Sequence, residues 1–118
     1  MDELIGRLVA DVGIDRDVAA KAVAVILAFL ISEGPSDKVK TILDRMPGAA
    51  AAAQNAPAES SFSMGGIMGA GTQLLSLGLG MGEVQQVTRV VMTYARQKAG
   101  EKTVDDIIGA IPGLAQFT

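Results

Sequence analysis

The chain contains no cysteine, no histidine and no tryptophan. The missing cysteine removes disulfides and thiolate chemistry. The missing histidine removes the commonest general base, the commonest metal ligand and the usual partner of a catalytic serine. Aromatic residues are scarce, with one Tyr and three Phe in 118 residues, so a base-stacking platform has little to work with. Net charge is only −3. Residues 1–48 carry six basic and eight acidic side chains and residues 49–118 four and five, so neither half is a nucleic-acid or membrane-surface arm. The N-terminal MDELIGRLVADVG has acidic residues and no basic region before its apolar positions. No signal peptide is read there, and a cytoplasmic location is expected.

Apolar residues make up 49% of the chain, and their spacing is helical. Leu4, Ile5, Leu8, Val9 and Val12 form one stripe, ended by Gly13. Asp15 is placed to cap a second helix running to about Ser32. Its stretch Val18–Ile31 is apolar on nearly every side, with Lys21 its only charge. Such a helix belongs at the centre of a fold. It is too short for a membrane span, which needs about 20 apolar residues. Lys21 is expected to pack its stem and hold its ammonium in water.

Gly34-Pro35 breaks the chain, and Pro35 suits the first position of a third helix carrying Val39, Ile42, Leu43 and Met46. Pro47-Gly48 ends it. Residues 49–64 have the composition of a linker, with a brief helical extension over Ala49–Ala53. Three more helices are expected after it, over about Gly66–Leu77, about Met81–Gln97, and around Val104, Ile107, Ile108 and Ile111.

The two halves align without a gap at an offset of 65 positions. Gly13 meets Gly78, Val25 meets Val90, Val39 meets Val104, Ile42 meets Ile107, and Pro47-Gly48 meets Pro112-Gly113. Phe29 stands opposite Tyr94 and Met46 opposite Ile111. The expected fold is all-α: a single-domain six-helix bundle of two pseudo-two-fold-related three-helix halves, residues 1–48 and 65–118, joined by a linker over 49–64.

The stretch GLGMGEVQQVTRVVMTYARQKAGEKTVDDIIGAIPG resembles the VcgC/VcgE-type family of bacterial proteins of unknown function, and VGIDRDVAAKAVAVILAFLISEGPSDKVKTILDRMPG looks like the same unit. The resemblance implies an all-α fold and a bacterial source, and it implies no activity.

Candidate chemistry is thin. Gly78-x-Gly80-x-Gly82 lacks the dinucleotide spacing, a preceding strand and a following Gly-Lys-Ser/Thr. Asp11, Asp15 and Asp17 loosely suggest a calcium loop, but Ala22 stands where its closing glutamate belongs. Asp105 and Asp106 are adjacent and cannot face each other on a helix. Ser60, Ser61 and Ser63 have no base nearby in the chain. No catalytic residue, cofactor, metal or nucleic-acid partner is therefore expected, and the function expected is non-enzymatic. The chain reads as a protein-interaction or structural module that self-associates. The alternative is a binder of a small apolar or amphipathic ligand between the halves. Met64, Met68 and Met81 at the entry to the second half, with Leu27, Leu30 and Ile31 on the first long helix, are the candidate surface; Met92 is a further candidate for the same groove or for gap-filling.

Overall fold

The structure, a computed structural model, describes residues 2–46, 48–54, 66–111 and 114–117. Among these residues it is all-helical, with no strand. The six expected helices are α1 (Asp2–Val12), α2 (Arg16–Glu33), α3 (Ser36–Arg45), α5 (Gly66–Ser76), α6 (Met81–Ala99) and α7 (Glu101–Ala110). Two short elements join them: α4 (Ala49–Gln54) and a closing 3-10 turn (Leu114–Phe117).

Glycine ends α1. Gly13 takes φ +82 and its N–H donates to the Val9 carbonyl at 3.1 Å, which satisfies an orphan acceptor of the last turn. Asp15 occupies the N-cap of α2 in extended conformation, as its position predicts, but its side chain makes no cap hydrogen bond. Pro35 differs by one residue from expectation. It is the N-cap of α3, with φ −64 and ψ 123, and the helix begins at Ser36. Gly80 starts α6, and its N–H donates to Glu83 Oε1 at 2.9 Å, the reach-back half of a capping box.

The expected linker starts later than residue 49. Ala49 is fully buried, and α4 packs along α2. An alanine run has no periodicity to reveal a buried face, yet alanine has the best helix propensity and allows close approach. Residues 55–64, the rest of the expected linker, lie outside the described residues.

The core runs through the whole molecule. Helix α2 is central, touching α1, α3, α4, α5 and α6, and it buries Ala22, Val23, Val25, Ile26, Leu27, Phe29 and Leu30. Helix α6 contributes Val84, Val87, Val91, Met92, Tyr94 and Ala95. Burial of apolar surface on this scale is the dominant favourable term of folding, at about 25 cal/mol per Å2. Helix α1 lies on α6 as well as on α2, α5 lies on α2 as well as on α6, and α3 lies against α7. Lys38 on α3 pairs with Asp106 on α7 at 3.2 Å. Both side chains are partly in water, at 42% and 43% exposure, so this pair adds little stability.

Glycine inside a helix commonly marks close approach of a neighbouring backbone. At Gly71 an added Cβ would meet nothing within 4 Å, so contact does not require glycine there.

Candidate functional site

An open cleft of about 540 Å3 lies between α1, α2 and α4. Helix α2 supplies most of it. Asp17, Ala20, Lys21 and Ala24 follow the i, i+3, i+4, i+7 spacing that places residues on one helix face. Ile5 of α1 forms one wall. The other is Ala51 and Ala52 of α4, entered through Gly48. Gly48 takes φ +83, a conformation that side chains other than glycine rarely adopt, and this turns the chain back onto α2. The N–H of Ala49 donates to the Met46 carbonyl at 3.0 Å and that of Ala52 to the Gly48 carbonyl at 2.9 Å, which holds α4 in place.

The lining is mainly apolar and made of small side chains, with Asp17 and Lys21 as its charged groups. Both are exposed, one helical turn apart on α2. Such a surface can bury an apolar body and offer one charge of each sign to a polar end.

The predicted surface residues are dispersed. Met64 lies outside the described residues, and Met68 falls in α5 with its side chain outside what is described. Met81 is 60% exposed at the first turn of α6 and Ile31 is 47% exposed near the end of α2. Leu27 and Leu30 are each 1% exposed in the core, so neither belongs to a surface of this chain. Both sit on a helix apolar all round, where sequence spacing gives no outward face, and α2 is covered on several sides. Met92 is also fully buried, as core filling predicts. Leu27, Leu30, Ile31, Met81 and Met92 do not line the cleft.

The carboxylates stay apart. Asp105 accepts from Arg96 Nη2 at 3.0 Å while Asp106 pairs with Lys38. Among the described residues no three acidic side chains converge on a metal position. Lys21 is exposed, in line with its expected solvated ammonium. None of the helices, among the described residues, is long and apolar enough to cross a membrane.

A second polar cluster surrounds buried Tyr94. The Arg7 guanidinium and the Lys98 ammonium each lie 5.5 Å from its ring centroid. Arg7 also donates to Gln97 Oε1 at 3.0 Å and to Glu3 Oε1 at 3.3 Å. These contacts tie α1 to the end of α6. With the ring on one side and a carboxylate on the other, Arg7 is a clamp between helices.

Sequence reasoning missed the cleft, although the offset of 65 held a signal for it. Ala20, Ala24 and Ala51 stand opposite Gln85, Arg89 and Gln116, so the first half has small residues where the second has long ones. No protein-family model, curated protein or solved structure matches the chain.

Proposed function

We propose that this chain is a non-enzymatic helical binding module, and that the cleft between α1, α2 and α4 is where it binds. The observation that carries this is the cleft itself. Its volume of about 540 Å3 falls within the range of small-molecule sites, its described walls are mainly apolar, and Asp17 and Lys21 are the charged groups among them. It differs from the site expected of a ligand binder, since every described residue lining it comes from the first half and α4 rather than from both halves.

The proposal includes an origin by duplication of one three-helix unit. Several features support it. Helices α3 and α7 are offset by 65 at both ends, as are the first residues of α2 and α6. Gly13 and Gly78 both take positive φ, at 82 and 96. The C-caps Met46 and Ile111 share φ −106, with ψ 103 and 112. The pairs Ala22 and Val87, Ile26 and Val91, Phe29 and Tyr94, and Ile42 and Ile107 are all buried. The contact of α1 with α6 is matched by that of α5 with α2, as a pseudo-two-fold axis requires.

Self-association is the second function we propose, and the exposure of Val9, Ile31, Leu75 and Met81 favours it. Native mass spectrometry of the protein purified from its own cells tests both. A retained small molecule supports the cleft as a ligand site, and a dimer or larger species supports self-association. A bare monomer that also takes up no apolar probe in titration would overturn both.

A further inference from the structure

The two units differ where the cleft lies. Of the residues that line it, Ala20, Lys21 and Ala24 on α2 correspond at the offset of 65 to Gln85, Gln86 and Arg89 on α6. Asp17 corresponds to Gly82, and Ala51 to Gln116. The first unit therefore has less side-chain volume on this face and also has a charge pair that the second lacks. Small residues alone would describe close packing. Here they leave an open volume of about 540 Å3, with an acid and a base at its edge.

The charges say what kind of occupant fits. Neither Asp17 nor Lys21 enters an ion pair or hydrogen bond among the described residues. They sit four residues apart on α2, about 6 Å along the helix axis at 1.5 Å per residue. A purely anionic head would gain from Lys21 and be repelled by Asp17, and a cationic head the reverse. A head carrying both charges, separated by a short bridge, satisfies both at once. The apolar walls require a chain or flat hydrocarbon body attached to that head.

We propose that the cleft takes a single-chain amphiphile with a zwitterionic head, its apolar chain lying on Ile5, Ala20 and Ala51 and its head spanning Lys21 and Asp17. This rests on the cleft being the binding site. A peptide helix or a second copy of this chain is the competing occupant, and among the described lining residues Ile5 and Val23 are the larger apolar side chains, the latter 1% exposed, which gives such a partner little to anchor on.

Calorimetric titration of the full chain with four probes of one chain length, each below its micelle concentration, tests this. The probes are decylphosphocholine, decyl maltoside, decyl sulfate and decyltrimethylammonium. The phosphocholine is expected to bind tightest. Both charges are exposed, so Asp17→Asn and Lys21→Gln should each weaken it only about two- to fivefold. Asp17→Asn should also improve decyl sulfate, and Lys21→Gln should improve decyltrimethylammonium, by a similar factor. Ala51 is exposed at the cleft wall, and Ala51→Phe should weaken every probe about tenfold or more while the circular dichroism melt stays two-state. Equal affinity for all four heads, still lost in Ala51→Phe, would overturn the zwitterion and leave the cleft standing. Failure of all four probes to bind, or binding that Ala51→Phe does not change, would overturn the cleft as well.

Discussion

Replacing Gly34 by alanine should destabilise the fold, and the reason is space rather than backbone conformation. Gly34 closes α2 with φ −85 and ψ 165, angles open to any residue. Its N–H donates to the Leu30 carbonyl at 2.7 Å. A Cβ added at this position would lie 2.7 Å from that same carbonyl oxygen and 2.7 Å from Val39 Cγ2. Neither neighbour yields easily. The oxygen belongs to the backbone of α2, and Val39 is a buried β-branched side chain with restricted χ1. Overpacking of this kind costs about 1–3 kcal/mol. At about 2.1 cal/mol/K of unfolding entropy per residue, a chain of 118 residues loses about 4 °C of Tm for each kcal/mol, so the expected drop is about 4–12 °C. Gly71→Ala is the matched control. Gly71 lies inside α5, where an added Cβ meets nothing, and alanine there should stabilise by about 0.5–1 kcal/mol. Differential scanning calorimetry of the two variants reads opposite signs if the reasoning holds. A Gly34→Ala protein that melts at or above the parent temperature would refute it, because α2 and α3 would then separate without cost.

Thr88 is the buried polar residue of the core among those described, and its Oγ1 donates to the Val84 carbonyl at 2.9 Å within α6. That carbonyl keeps its helical N–H partner without the hydroxyl, so Thr88→Val should change stability by less than about 1 kcal/mol in a urea titration. A loss above about 2 kcal/mol would mean that the hydroxyl serves a partner outside α6. Ile42→Val and Ile107→Val probe the duplication. Both isoleucines are fully buried at corresponding positions, so each variant should cost about 0.5–1.5 kcal/mol and the two costs should agree closely. A full cost at one site and none at the other would count against equivalent environments.

The parts of the fold legible in the sequence are those marked by breakers. Gly13, Gly34-Pro35 and Gly78 delimit helices because φ > 0 and a missing N–H act locally, whatever packs around them. The apolar stripe of α3 was equally plain, since Val39 and Ile42 lie on one face with charged residues opposite. What could not be read was decided by tertiary contact. Leu27 and Ile31 are one turn apart on the same apolar helix, yet one is in the core and the other nearly half exposed. Only the position of neighbouring helices separates them. Helix α4 was half-hidden for a related reason: a run of alanine has propensity without pattern, so its burial against α2 leaves no trace in spacing. The cleft depends on α4 and was hidden with it.

The proposed duplication also explains why a cleft can exist beside so central a helix. In a single three-helix unit, opening the outer face of its long helix would remove burial that the unit cannot spare. In the two-unit chain α2 is held from several sides by α1, α3, α5 and α6. Small side chains on the face towards α4 then cost little, because the rest of α2 remains in the common core. The second unit keeps long polar residues at the matching positions, with Gln85, Gln86 and Arg89 on the exposed side of α6. Under the proposed duplication, one copy can therefore carry small side chains with Asp17 and Lys21 on this face while the other carries different residues there. Val18–Ile31 is almost wholly apolar because it serves two surfaces: a core shared by both halves, and a groove that begins where Ala20 and Ala24 leave room.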